Sequence, residues 1–116
     1  MKKLLKVLGI ILLFPVLYLL SCKSGSNQAS NENISHIDTV IIEQMKFNPE
    51  VLKVNKGDTV IWLNKGLVPH TVKSFQDNKF YSDTLNPEKL WKQVMTDSAS
   101  YFCTIHPSMS GKIIIK

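Results

Sequence analysis

The sequence predicts an all-β fold, a small β-sandwich of Greek-key type. Runs rich in β-branched and aromatic residues recur along residues 36–116 of this 116-residue chain, and turn-forming residues separate them at close intervals. Many short strands with such turn signals are typical of a sandwich. Nothing in this region has the three- and four-residue apolar spacing of an amphipathic helix. The length allows at most one such domain.

The first 22 residues are predicted to lie outside that domain. Three lysines among the first six residues precede an uncharged, mostly apolar run at residues 7–20. This run of about 14 residues is shorter than the roughly 20 that span a bilayer, and the layout is typical of a secretory signal peptide. The Leu-Leu-Ser-Cys sequence at 19–22 resembles a bacterial lipoprotein box, which implies a lipid on Cys22. An ordinary signal peptide or an uncleaved N-terminal anchor is the alternative.

Residues 23–35 are predicted to form a flexible linker, because Ser, Asn and Gly dominate them and almost nothing is apolar. Residues 36–116 would then fold outside the cytoplasm, in the periplasm or at the cell surface, held to a bacterial membrane by the lipid. Three of the 14 basic residues leave with the signal, so 11 remain against 9 acidic ones. This small positive charge, together with the absence of Arg, argues against a nucleic-acid partner.

The first half of the domain contains three predicted strands. Residues 37–47 are rich in β-branched and apolar residues until Asn-Pro at 48–49 interrupts them. Residues 51–54 alternate between apolar and polar, and the Asn-Lys-Gly-Asp sequence at 55–58 is a turn signal. Residues 59–64, Thr-Val-Ile-Trp-Leu-Asn, are the most strongly β-prone run of the chain.

The second half adds four strands around a long polar loop at residues 76–88. The predicted strands are residues 68–75, 89–95, 101–103 and 112–116. The first of these carries His70, and a turn at 96–100 precedes the third. About 80 folded residues give only a modest core. We expect that core to include Met45, Trp62, Met95 and Trp91 or its neighbour Leu90.

Three side chains that bind soft metals follow one another near the end of the chain. Cys103, His106 and Met109 stand at three-residue intervals. If Cys22 carries a lipid, Cys103 is unpaired, and an unpaired cysteine in an exported protein is either labile or functional. Blue-copper sites use one Cys, two His and a weak axial Met, whereas structural zinc sites want four Cys or His ligands. The sequence therefore predicts one copper site, with His70 as the second imidazole.

Two other functions are compatible with parts of this pattern. An extracytoplasmic copper chaperone or storage lipoprotein could use the same ligands, although the Met- or His-rich tracts of that class are missing. A hydrolase would need Cys103 as nucleophile, a His base and a third residue that orients the base. Only His36 remains outside the copper set, and the domain is too small to build much of a pocket. The pattern therefore favours a protein that is not an enzyme.

Four stretches together resemble the cupredoxins, the plastocyanin/azurin family of type 1 blue copper proteins. They are Met-Lys-Phe-Asn-Pro at 45–49, Val-Asn-Lys-Gly-Asp-Thr-Val-Ile-Trp-Leu-Asn at 54–64, Pro-His-Thr-Val at 69–72 and Tyr-Phe-Cys-Thr-Ile-His-Pro-Ser-Met-Ser-Gly at 101–111. The equal spacing of Cys, His and Met makes the amicyanin type the most similar. The resemblance implies that the copper ligands are His70, Cys103, His106 and Met109.

The resemblance also implies how such a site would work. The protein is expected to be a monomer that shuttles single electrons between redox partners at the cell envelope. Partners are expected to dock near His106, on an apolar surface to which Leu67, Pro69 and Pro107 contribute. The hydroxyl of Thr71 is expected to tie the two ligand loops together by a hydrogen bond.

Overall fold

Two four-stranded sheets face each other across a shared core in the computed structural model, which describes residues 34–76 and 79–116. Every regular element among these residues is a strand, so the predicted all-β sandwich is confirmed. The predicted signal peptide with Cys22, and nearly all of the predicted linker, lie outside the described residues. No helix in the described part of the chain has the length and apolar character needed to span a membrane.

The first sheet has the strand order β2-β1-β4-β6, and the second has the order β3-β8-β7-β5. The strands of the first sheet are β1 (Ile37–Glu43), β2 (Lys46–Asn48), β4 (Thr59–Asn64) and β6 (Leu90–Val94). The strands of the second are β3 (Val51–Val54), β5 (Lys73–Ser74), β7 (Ala99–Phe102) and β8 (Ser110–Ile115). The pairs β1–β4 and β3–β8 are parallel, and the other pairs are antiparallel.

The predicted strand at residues 37–47 is in fact two strands. β1 ends at Glu43, the chain reverses through Gln44 and Met45, and β2 pairs back antiparallel from Lys46. Both turn residues have positive φ, which ends the extended run. The prediction that Met45 is a core residue is therefore wrong, because its position in this turn leaves the residue 45% exposed.

β4 is the central strand of the first sheet, and its pattern follows from that position. Val60, Trp62 and Asn64 are buried, whereas the alternate residues are half-buried. Trp62 packs against Trp91 of β6 at a ring-centroid distance of 5.2 Å and edge-on against Tyr101 of β7 at 5.4 Å. The contact with Tyr101 joins the two sheets, and aromatic rings of this size contribute much of a small core.

Of the two residues expected as alternatives on β6, Trp91 is the one turned inward. Trp91 packs against the core, and Leu90 is exposed. Met95, just after the strand, is buried as predicted.

The predicted strand at residues 68–75 is wrong over most of its length. Only Lys73–Ser74 form a regular strand, and His70 makes an isolated bridge with Leu85. His70 and Leu85 exchange backbone bonds of 3.0 and 2.7 Å, and the next partner, Ser82, uses its side chain to accept the Val72 N–H. A regular ladder of backbone hydrogen bonds cannot extend through this segment, because the facing residues 82–84 do not form a strand.

β7 begins two residues earlier than predicted, so Ala99 and Ser100 belong to the strand and not to the preceding turn. It pairs antiparallel with β8, and Tyr101 lies opposite Gly111. Cys103 follows β7 directly, at the point where the chain leaves the sheet.

The turn between β3 and β4 is held by the buried carboxylate of Asp58. It accepts the backbone N–H of His36 at 2.9 Å and that of Asn55 at 2.6 Å. Both bonds hold the pKa of Asp58 below its ordinary value because they favour the charged form, and the bond from His36 has the larger effect. Gly57 takes the left-handed backbone of this turn, with φ of 95°. The turn lies at the start of β4, whereas the metal-binding side chains gather beyond its other end.

Candidate metal centre

Two loops bring the predicted ligands together at one end of the sandwich. His70 lies on the loop that follows β4, and Cys103 and His106 lie on the loop between β7 and β8. Asn64, the last residue of β4, shapes the first loop. Its amide donates to the carbonyls of Val68 and Leu85, and its side-chain oxygen accepts the Gly66 N–H. The loop therefore has a fixed path before it reaches His70.

The donor atoms of three predicted ligands form a small triangle. Cys103 Sγ is 3.8 Å from His70 Nδ1 and 3.7 Å from His106 Nδ1, and the two nitrogens are 3.2 Å apart. These are the three residues that form a metal-binding cluster within the described ranges. The structure thus brings residues from sequence positions 70, 103 and 106 to one point.

The size of this triangle fits one metal ion. A point equidistant from the three atoms lies about 2.1 Å from each, and His nitrogen and Cys sulfur bond a divalent ion such as zinc at about 2.0–2.3 Å. A trigonal set of one thiolate and two imidazoles is the set found in blue-copper sites. The residues present therefore fit a copper ion in both distance and chemistry.

Thr71 links the two loops, as the sequence predicted. Its backbone N–H donates to Cys103 Sγ at 3.3 Å, and its hydroxyl lies 3.7 Å from the same sulfur. The hydroxyl also accepts the Thr104 N–H at 2.7 Å. These contacts fix the position of the Cys103 sulfur between the two loops.

Met109 is buried and closes the loop that carries Cys103 and His106. Its N–H donates to the His106 carbonyl at 2.9 Å, and its carbonyl accepts the Cys103 N–H at 3.1 Å. These bonds curl the loop into a tight turn and keep the three residues close. The role of the Met109 sulfur as an axial ligand stays a prediction.

The site is nearly closed to solvent on the side of the core. His70 and Cys103 are 1% and 0% exposed, and His106 is half-buried. Burial is the main reason why the pKa of His70 is below its ordinary value, and a positive charge on His106 would lower it further. A neutral imidazole is the form that binds a metal, so this environment favours ligation.

Apolar residues surround the mouth of the site. The exposed ones on the two ligand loops are Leu67, Val68, Pro69, Ile105 and Pro107. We call these five residues the apolar rim. Leu67 is 94% exposed, so the other described residues leave its side chain almost uncovered. Leu67, Pro69 and Pro107 were expected here from the sequence, and Val68 and Ile105 extend the surface.

Proteins of known identity share this sequence pattern. A profile of the family described as copper binding proteins, plastocyanin/azurin family, matches residues 35–116. Amicyanin from Paracoccus versutus is 30% identical over 81 residues, which are 65% of this chain and 61% of that protein. Amicyanin-alpha from Methylorubrum extorquens is 26% identical over 99 residues, covering 80% and 83% of the two chains. The match thus spans about three fifths of the Paracoccus protein and more of the Methylorubrum one.

Solved structures share the fold. A mutant of amicyanin in its reduced state superposes with a TM-score of 0.63 at 29% identity, covering 69% of this chain and 82% of that one. A purple cupredoxin from Nitrosopumilus maritimus gives 0.65 at 24% identity, covering 68% and 99%. The profile match over most of the chain and the donor set described above lead to one conclusion. The chain belongs to the plastocyanin/azurin family of copper-binding proteins, and its site fits one type 1 copper ion.

Proposed function

We propose that this protein is a single-electron carrier of the cell envelope, with copper held by His70, Cys103, His106 and Met109. The observation that carries the proposal is the triangle of one sulfur and two nitrogens, with sides of 3.2 to 3.8 Å. The similarity to amicyanins supports it. A carrier needs no substrate pocket, so we propose no enzymatic activity for this domain.

Bound copper supplies a one-electron couple, and the protein keeps the geometry around it fixed. His70 is held by its bridge to Leu85, and Cys103 is held by Thr71 and by the strand that precedes it. Since both loops are anchored in the sandwich, the donors can change little when the electron moves. The thiolate of Cys103 provides a covalent path from the ion into the chain.

His106 is proposed as the port through which electrons enter and leave. It is half-buried, whereas His70 is fully buried, so it reaches closer to solvent. The apolar rim around it can be covered by a partner protein at little desolvation cost, because apolar surface gains free energy on burial. A redox protein with an apolar surface of its own is the partner that this arrangement favours, and we propose that the carrier itself is a monomer.

We further propose that a lipid on Cys22 tethers the domain to a bacterial membrane, with the domain in the periplasm or at the cell surface. The support is the signal-like sequence of residues 1–22. The folded domain is entered near His36, which contacts the turn at Asp58. That turn lies at the start of β4, and the copper site lies past the end of the same strand.

Addition of Cu(II) to the metal-free protein tests the function. We expect an intense blue absorption, a type 1 paramagnetic-resonance spectrum and a raised midpoint of thermal unfolding, because a ligand that binds the folded state stabilises it. Cys103→Ser should lose the blue band and most of the stabilisation. Cys22→Ser, which removes the other cysteine, should keep both.

A blue band that survives in Cys103→Ser would contradict the assignment of Cys103 as the equatorial ligand. The same titration decides the alternative role as a copper chaperone or storage protein. Weak binding of Cu(I) without a reversible blue Cu(II) form would favour that role over electron transfer.

A further inference from the structure

The turn between β1 and β2 places a bulky residue where the backbone is left-handed. Gln44 and Met45 have φ of 48° and 61°, and they are the two central residues of a hairpin closed by Glu43 and Lys46. Gly, Asn and Asp are usual at such positions, because a left-handed backbone costs other residues roughly 1–2 kcal/mol each. Backbone strain of this kind is concentrated at functional sites.

Met45 lies between two clefts that each contain a proposed copper ligand. One cleft of about 400 Å³ is lined by Met45, the adjoining loop at Gly66 to Val68, and His70. The other, of about 260 Å³, is lined by Met45 and by Met109. Met45 therefore belongs to both walls, and with 45% exposure it is also open to solvent.

Three of the proposed ligands are closed to an ion arriving from water. His70, Cys103 and Met109 are only 1%, 0% and 4% exposed. The fourth, His106, is half-buried, so an incoming ion meets only one partly open donor among the four and gains from a further donor at the surface. A thioether is a soft ligand that suits Cu(I), and the unbranched methionine side chain adapts to a moving partner.

We propose that Met45 is a capture residue for Cu(I), which binds the incoming ion at the clefts before it passes to the four proposed ligands. This inference rests on the copper site of the proposed function. The transfer is an exchange of ligands. The bond between copper and the Met45 sulfur breaks as bonds to the buried donors form, copper stays Cu(I), and the Cys103 thiol releases its proton to solvent.

Copper uptake by the metal-free full-length chain tests the role of Met45. Cu(I) is supplied as its coloured bicinchoninate complex, so that loss of colour reports transfer. Met45→Leu keeps a similar volume and removes the sulfur. We expect it to slow Cu(I) uptake by roughly tenfold, the size of effect that loss of one supporting contact has at metal sites. Uptake of Cu(II) should be unchanged, because the harder ion gains little from a thioether.

Met95→Leu is the matched control. Met95 is buried, and its N–H donates to the Asp58 carbonyl in the turn at the start of β4. It lines neither of the two clefts. The Met95→Leu variant should take up Cu(I) as fast as the wild type. Slowed uptake by this variant would mean that loss of any methionine has the same effect, and it would overturn the proposal.

Met45→Gly separates the sulfur from the strained backbone. This variant relieves the left-handed conformation, and we expect it to take up Cu(I) as slowly as Met45→Leu. Rapid uptake by either variant would overturn the proposal, as would a changed blue absorption in loaded Met45→Leu, since Met45 would then shape the resident site. If the wild type itself takes up no copper, the proposed function is overturned together with the role of Met45. If the wild type takes up copper and the Met45 variants do so equally fast, only the role of Met45 is overturned.

Discussion

Thr71 is a single residue that contacts both parts of the metal centre. Its backbone N–H reaches Cys103 Sγ, and its hydroxyl bonds the backbone and side chain of Thr104 at 2.7 and 2.8 Å. The backbone bond survives any substitution other than proline, whereas the hydroxyl bonds depend on the side chain. The side chain thus ties the Cys103 loop to the His70 loop without binding the ion itself.

Thr71→Val should loosen this tie while keeping the shape of the side chain. We expect it to destabilise the metal-free protein by about 1–2 kcal/mol, because the Thr104 N–H loses its acceptor. Urea unfolding of the metal-free protein measures the change. Thr71→Ser keeps the hydroxyl and should lose less. Equal stability of the valine variant and the wild type would show that the hydroxyl does not join the loops.

At the scale of single residues, the copper ligands could be predicted from their chemistry, whereas the role of Asn64 could not. Cys103, His106 and Met109 were predicted because few residue types bind copper and they stand at three-residue intervals, and His70 because such a site needs a second imidazole. The role of Asn64 was not predicted, since an Asn at the end of a strand usually signals only a turn. One of its three side-chain bonds is to the carbonyl of Leu85, which lies 21 residues away in the sequence.

At the scale of elements, the pair of β7 and β8 depends on the absence of a side chain at Gly111. Gly111 lies opposite Tyr101, and a Cβ there would overlap the tyrosine ring and its hydroxyl. Tyr101 is fully buried, and its hydroxyl makes no hydrogen bond with the residues that the structure describes. Burial is the main reason why the pKa of Tyr101 rises to about 12, so its hydroxyl stays neutral.

Gly111→Ala should therefore destabilise the fold by about 1–3 kcal/mol or more, the cost of overpacking a filled core. Chemical denaturation measures the change. The matched control is Gly57→Ala, where nothing lies within 4 Å of a new Cβ and only the left-handed backbone opposes the substitution. We expect that variant to lose about 1–2 kcal/mol. A smaller loss at Gly111 than at Gly57 would contradict the packing argument.

The strands differ in how far the sequence determines them. β4 was predicted with its bounds, because a central strand selects β-branched and aromatic residues along its whole length. The segment around His70 was predicted as a strand, yet it is mostly irregular. Its composition favours a strand, but its neighbour is a loop that offers isolated bonds from Leu85 and the side chain of Ser82. Such pairing depends on the tertiary structure and leaves no periodic signal.

At the scale of the whole molecule, the two ends of the sandwich differ in what they present to solvent. The end at the close of β4 carries the ligand loops and the apolar rim. The end at the start of β4 carries the Asp58 turn and the first described residues. Leu67, Pro69 and Pro107 of the rim and the turn at 55–58 were predicted from the sequence, but only the fold shows that they lie at opposite ends of the sandwich.

This separation predicts where a charge will impair electron exchange. Leu67→Glu and Leu67→Lys should each slow electron self-exchange between reduced and oxidised copies by roughly fivefold. Two apolar rims must meet for the electron to pass, and like charges brought close in water repel by about 1 kcal/mol. Because Leu67 is 94% exposed and is not a proposed ligand, the blue absorption and reduction potential should stay unchanged. Line broadening in nuclear magnetic resonance spectra of mixed redox states measures the exchange rate.

Val94→Glu is the control for the same charge at the opposite end. Val94 is half-exposed on β6 and pairs with Thr59 at the start of β4, so its charge is kept away from the ligand loops. The electron self-exchange rate of the Val94→Glu variant should equal that of the wild type. High salt should restore much of the rate lost in the Leu67 variants, since exposed charges are screened over about 10 Å at 0.1 M salt. If the Leu67 variants exchange as fast as the wild type at low salt, electrons leave through another surface, and His106 is not the port.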